Sequence, residues 1–220
     1  MGKLIVFEGI DGSGKSTQSR LIRSRLEEAG IKFRSVTFPR YTEPSAALIK
    51  MYLGGQFGTN PGDVNPYAAS TFYAVDRYAS FKQDWGEYYT SGGIVVTDRY
   101  TTSNVIHQGS KLPPEKREEF FRWLYDFEFN LMGLPKPDAV IYMDIPFDLA
   151  VKRIAIRDSE TGSTGDIHEK DKAYLKLCHE CGDQGADFFG WHKIAVVNGG
   201  EERSVQSIND EIFGIIKDII

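Results

Sequence analysis

A surplus of positive charge, clustered histidines and long apolar runs are all missing from this 220-residue sequence. Lys and Arg number 26 against 31 Asp and Glu, a net charge of −5. That argues against a nucleic-acid binder, which needs a positive footprint to displace counterions from phosphates. Any anion bound here must therefore meet locally placed cations. The four histidines are scattered without metal-ligand spacing, so no protein-held transition metal is expected. Cys178 and Cys181, the two cysteines, stand three apart in a predicted helix with no second ligand pair. Two reduced structural thiols are expected, since cytosolic disulfides are rare. No apolar run approaches the ~18 residues of a membrane span, and the opening MGKLIVFEG is charged again too soon for a signal peptide. The expectation is a cytoplasmic protein with no membrane partner.

What is present is enough apolar material, 41% of residues with 26% charged, to fill one core. A single domain over 1–220 is expected. KLIVFE (3–8) is a short, nearly continuous apolar run ended by Gly9, the pattern of a strand buried on both faces. Similar runs follow at 32–38, 92–98, 138–145 and 192–198. Helical spacing appears between them at Leu21, Ile22, Leu26 and Ala29; at Phe72, Val75 and Ala79; at Phe120, Leu124, Phe127 and Leu131; and at Phe147, Ala150, Val151 and Ile154. A last amphipathic pattern runs Val205, Ile208, Ile212, Ile215, Ile219. Parallel strands need crossover connections, so the alternation predicts an α/β three-layer sandwich around a parallel sheet of about five strands. DSETGSTGD (158–166) reads as a loop, and 153–170 as a lid region within the domain.

Between the first strand and first helix, Gly9, Gly14, Lys15 and Ser16 satisfy G-x-x-x-x-G-K-[ST], which makes the fold a P-loop NTPase type. Glycines there turn successive amides toward a phosphate, and the helix N-terminus adds partial positive charge. Gly12, Ser13 and Thr17 complete the expected ATP-binding set, with Lys15 on the β and γ phosphates and Ser16 on Mg²⁺. Asp98 and Arg99 close the strand at 92–98, at the carboxyl end where such sheets bind ligands. Asp98 suits Mg²⁺ and Arg99 a phosphoryl group in transit, although a structural Asp–Arg pair stays open. Tyr73 and Arg77 stand four apart on one helix, suited to stacking on a base and donating to its carbonyl edge; a surface cation–π pair is the alternative.

FEGIDGSGKSTQ (7–18), FYAVDRY (72–78), TDRYTTSNVIHQG (97–109) and PDAVIYMDIPFDLAVKR (137–153) together resemble thymidylate kinases, which phosphorylate dTMP to dTDP with ATP. The resemblance implies that Asp11 takes the 3′-hydroxyl of the acceptor sugar, Tyr73 stacks on thymine and Arg77 donates to its O4. It places Arg99 near both phosphates and Tyr100 against the sugar's 2′ face. Ser103, Asn104 and Gln108 would line the base pocket, and Arg40 would hold the acceptor phosphate. A homodimer is also implied. Three departures stand out: Gly12 where many relatives have an arginine, Ile167 where one is common after the lid, and His107 in place of a frequent tyrosine. Relatives lacking the first arginine supply one from the lid, which points to Arg157, with Arg153 one turn earlier. Two other readings remain open. A deoxynucleoside kinase would use Glu8 as base, and another nucleoside monophosphate kinase would take a different acceptor. A non-kinase NTP switch is disfavoured by the missing N-K-x-D segment.

Overall fold

The computed structural model describes residues 1–161 and 172–220. Five parallel strands, β1 (Lys3–Glu8), β2 (Phe33–Thr37), β3 (Ile94–Asp98), β4 (Ala139–Asp144) and β5 (His192–Ala195), form one sheet in the order β2-β3-β1-β4-β5. Alternation along β1 serves both faces. Ile5 and Phe7 enter a core with Ile22, Leu26, Ile141, Ile208, Ile212 and Ile216, while Leu4 and Val6 pack with Val36, Trp85, Val95 and Tyr100 on the other side. The first face is covered by α1 (Lys15–Glu28) and, near the chain's end, Val205–Lys217. The three-layer α/β prediction is met.

The chain moves from β1 outward to β2, returns to β3, and then crosses β1 to β4. The carboxyl ends of β1 and β3 therefore flank the point where the winding reverses, which is where a crevice opens in such sheets. In-register pairing sets Phe7 beside Asp98, and the Arg99 amide donates to the Phe7 carbonyl at 3.1 Å.

The helices between β2 and β4 are α2 (Ala47–Leu53), α3 (Pro66–Ser80), α4 (Gly86–Thr90), α5 (Thr101–Gly109) and α6 (Pro114–Tyr125). After β4 come α7 (Phe147–Thr161), α8 (Lys172–Phe189) and α9 (Val205–Lys217). Four details differ from the sequence expectations. The last apolar run divides: 192–195 joins the sheet, whereas Val197–Asn198 (β6) pairs antiparallel with Glu201–Glu202 (β7). In α3 the apolar pattern does not mark the inner face, because Val75 is 49% exposed while Asp76 and Arg77 are each 1% exposed. Beyond α6 the helix widens into a π segment, Asp126–Leu131, so that Leu131 is exposed and Glu128 is fully buried. The predicted loop at 158–166 begins as helix, since α7 runs to Thr161; the rest of that loop, and Ile167, lie outside the described residues.

Candidate active site

The turn from β1 into α1 holds its open shape through glycine. Gly12 has φ +80°, and a Cβ there would lie 2.5 Å from the Ala150 carbonyl of α7. An arginine here, as the family resemblance leads one to expect, therefore has no room without displacing α7. Gly14 caps α1 at φ 92° with no side-chain acceptor, so the first amides of the helix are left for an anion. Lys15 Nζ reaches back to Asp11 Oδ1 at 3.1 Å and the Ile10 carbonyl at 3.4 Å. Gly9 and Ser13 are buried in the turn, and Thr17 lies exposed on the first turn of α1. Ser16 Oγ donates to Asp98 Oδ2 at 2.9 Å. The other Asp98 oxygen is buried without a hydrogen-bond partner.

Arg99 joins this loop to the next helix. Its backbone sits at φ 67°, a left-handed conformation that costs a non-glycine residue ~1–2 kcal/mol. One end of the guanidinium donates to Asp11 Oδ1 at 2.5 Å and the other to His107 Nε2 at 3.1 Å. A guanidinium only donates, so His107 accepts at Nε2 and carries its proton on Nδ1, 3.6 Å from Cys178 Sγ. Burial works to raise the Asp11 pKa, but the charges of Lys15 and Arg99 outweigh it and hold the carboxylate well below its ordinary range. Burial likewise opposes the Arg99 charge, and Asp11, Glu8 and Asp98 more than restore it, leaving its pKa above the usual value. Glu8, at 0% exposure, accepts from the Gly9 amide at 3.0 Å, Thr102 Oγ1 at 2.8 Å and Ser103 Oγ at 2.7 Å.

Beside Asp11 and Arg99 opens a cavity of about 160 Å³. Helix α3 supplies Tyr73 and Arg77; α5 supplies Ser103, Asn104, His107 and Gln108; and Tyr100 closes the floor. Tyr100 is buried, its hydroxyl donating to the Pro135 carbonyl at 3.1 Å, and burial pushes its pKa well above the ordinary value. Arg77 is no surface cation. Its Nε donates to Glu128 Oε2 at 2.7 Å and its Nη2 to Oε1 at 2.5 Å. Gln108 Oε1 is buried without a hydrogen-bond partner. A second cavity of about 170 Å³, walled by Phe121, Phe129, Phe189 and Trp191, lies on the other side of α5 and contains none of the residues predicted for the site.

Three predicted arginines are placed apart from this cavity's lining. Arg40 is drawn to Asp76, which accepts from its backbone N–H at 2.8 Å and lies 3.6 Å from its Nε. Arg153 reaches the phosphate loop, with Nη1 at 3.5 Å from the Gly12 carbonyl and Nη2 on Glu202 at 2.6 Å. Arg157, one turn on, binds Asp158 at 2.9 Å. The residue that sequence reasoning missed is Glu128. Its signal was there: an acid flanked on both sides by phenylalanine in YDFEFN (125–130), which burial obliges to find a cation.

The thymidylate kinase family model matches residues 7–208. The chain belongs to this family. Thymidylate kinases from Mycobacterium tuberculosis and Caenorhabditis elegans illustrate the similarity. The first is 31% identical over 170 residues, covering 76% of this chain and 78% of that protein. The second is 32% identical over 200 residues, covering 83% and 84%. A probable thymidylate kinase from Thermococcus gammatolerans is 28% identical over 222 residues, 99% of this chain and 97% of its own. The solved thymidylate kinase of Candida albicans superimposes with a TM-score of 0.71 at 19% identity, over 99% of this chain and 92% of that one, and so shares the fold. Family membership makes the protein a nucleotide-binding phosphotransferase, a kinase that uses ATP.

Proposed function

We propose that this site carries out the family's reaction, the transfer of the γ-phosphoryl group of ATP to dTMP, with the residues acting as follows. The P-loop amides and Lys15 hold the ATP phosphates. The acceptor's base enters the α3/α5 cavity between Tyr73 and Arg77, its sugar lies against Tyr100 with the 3′-hydroxyl toward Asp11, and its phosphate meets Arg99. The observation that carries this reading is the Lys15–Asp11–Arg99 chain of ion pairs, 3.1 and 2.5 Å long, which joins the phosphate loop to the base cavity.

The acceptor is a phosphate monoester whose second pKa near 6 leaves it mostly dianionic at neutral pH, so no protein base is needed. The obstacle is bringing two anions together in line. Lys15, Arg99 and an arginine of α7, Arg153 or Arg157, offset that repulsion. Glu8 has its oxygens committed to three donors, which speaks against the deoxynucleoside-kinase reading. The Ser16 hydroxyl and the unpartnered Asp98 oxygen suit Mg²⁺ and would be the residues that hold it. When bound, the ion screens the phosphate charge during transfer.

The reading extends to one catalytic domain over 1–220 with its lid inside 153–170, a cytoplasmic location and a homodimer. No described helix is long and apolar enough to cross a membrane. Val75 and Tyr78, 49% and 38% exposed on the outer side of α3, support the dimer. Sedimentation velocity should show Val75→Glu/Tyr78→Glu as monomer against a dimeric parent, and a monomeric parent would remove the dimer. The function itself is tested by coupled ADP release with ATP, Mg²⁺ and a panel of nucleoside monophosphates plus thymidine. dTMP should give the fastest turnover and thymidine none; preference for thymidine would revive Glu8 as a base.

A further inference from the structure

We propose that Glu128 is the positioning residue that fixes which pyrimidine edge the cavity accepts; this rests on the acceptor assignment above. Glu128 is fully buried and receives four hydrogen bonds. Oε2 takes Arg77 Nε at 2.7 Å and Thr101 Oγ1 at 2.7 Å; Oε1 takes Arg77 Nη2 at 2.5 Å and Asn104 Nδ2 at 3.4 Å. An ionised carboxylate offers about four acceptor sites and no donor, so the set is closed and every partner must donate.

That requirement has a consequence at Asn104. Its amide nitrogen faces two groups that only accept, Glu128 Oε1 and the Ser70 carbonyl at 3.3 Å. A flipped amide would set oxygen against oxygen twice, so the nitrogen is held there and both of its N–H groups are used. Asn104 can then present only its oxygen, an acceptor, to the cavity it lines. Arg77, gripped along one edge, can present only the remaining guanidinium N–H groups, which are donors. Glu128 thus fixes two cavity residues at once: it orients Arg77, whose guanidinium can only donate, and it sets Asn104 as an acceptor. Thymine and uracil carry the complement, a C4 carbonyl next to N3–H. Cytosine carries the inverse, a C4 amino group next to a bare N3, and would set donor against donor and acceptor against acceptor. Buried mismatches of this kind are what make hydrogen-bonding sites selective.

The test uses the full chain with ATP and Mg²⁺ and measures kcat/KM for dTMP, dUMP and dCMP. Glu128→Gln puts a donor into the closed acceptor set, which releases Asn104 from its fixed polarity or Arg77 from its fixed orientation. The dTMP:dCMP ratio should fall by about tenfold or more. The dTMP:dUMP ratio should stay within about twofold, because uracil has the same edge as thymine. Thr101→Val keeps the charge and its bonds to Arg77 and Asn104, so its dTMP:dCMP ratio should stay within about threefold of the parent. A folded Glu128→Gln protein with the parent ratio, or an equal loss on all three substrates, overturns the proposal. If Glu128→Gln does not fold, ¹⁵N NMR of the parent decides. Slowly exchanging Arg77 Nε–H and Asn104 side-chain N–H signals, unmoved by dUMP, support it, and fast exchange overturns it. A parent that ignores dTMP would refute the acceptor assignment instead, and a parent that prefers dTMP while Glu128→Gln keeps that preference would refute only the role of Glu128.

Discussion

Replacing Arg99 with glycine and with alanine separates its chemistry from its backbone. Both changes remove the guanidinium that bridges Asp11 and His107 at 2.5 and 3.1 Å. Loss of one preorganised charge-stabilising donor raises a barrier by about 2.7 to 4 kcal/mol, so both variants should lose kcat by roughly a hundredfold or more. Neither should unfold. Asp11 keeps Lys15 at 3.1 Å, and Glu8 keeps three donors, so no buried carboxylate is left bare. The lost charged hydrogen bonds are worth ~1.5–3 kcal/mol at full burial, and the Arg99 side chain is 22% exposed, which places the loss toward the lower end. Backbone strain then distinguishes the two. At φ 67° alanine retains the left-handed cost of ~1–2 kcal/mol and glycine does not, while glycine's looser unfolded chain returns roughly 0.5–1 kcal/mol. Arg99→Gly should therefore melt higher than Arg99→Ala by up to about 1.5 kcal/mol, or up to ~3–6 °C for a chain of this size. Calorimetry paired with saturating-substrate kinetics reads both effects. A folded Arg99→Gly enzyme with near-parental kcat would refute the role of Arg99, and an Arg99→Ala protein that melts higher would refute the strain.

Placing an arginine directly after Asp11 should harm this protein: Gly12→Arg must adopt φ +80° and place its Cβ 2.5 Å from the Ala150 carbonyl. Urea unfolding should show a loss of about 2 kcal/mol or more with no gain in kcat; a neutral variant would contradict the packing. Burial pushes the Cys178 and Cys181 thiols up to about 12, so a thiol reagent at pH 8 should leave the native protein unmodified and titrate both in denaturant. Prompt native labelling would count against their burial. Lys111, hydrogen-bonded to Tyr52 and the Val64 carbonyl at 2.9 Å each, has its pKa lowered by burial from 10.5 to about 8. Between those values the unfolded chain binds more protons than the folded one, so this lysine's contribution to stability rises with pH. The stability of the parent relative to Lys111→Met should thus improve from pH 8 to pH 10; a flat difference would show the lysine to be unperturbed.

Where local chemistry sufficed, the sequence was readable. An apolar run, three glycines and Lys15-Ser16 make a strand, a phosphate turn and a helix start because each depends only on its neighbours. Asp98 and Arg99 were placeable because parallel sheets put strand ends together. Partners distant in the chain were not readable. Arg77 was legible as a base-reading residue, with a surface cation–π pair as the alternative, but only tertiary packing brings Glu128, 51 residues away, against it. The same packing inverted α3: with Arg77 and Asp76 both satisfied internally, the helix buries charge and leaves Val75 outside. Arg40 was matched by its position after Phe38-Pro39, yet Asp76 lies within reach and holds it. The divided last run, 192–198, turned on Gly199 and Gly200, whose positive φ values of 60° and 87° fold β6 back onto β7.

The bond from the Arg99 amide to the Phe7 carbonyl makes the sheet a ruler. The β1–α1 turn and Arg99 are anchored on adjacent strands, so their separation follows the ~4.8 Å strand spacing rather than the reach of a flexible side chain. A slip of one residue between β1 and β3 would turn Asp98 and Arg99 to opposite faces together. Alignment of the two halves of the reaction is thereby inherited from the most rigid part of the molecule, and substitutions in the dry middle of β1 or β3, far from any phosphate, should weaken turnover before they unfold the chain.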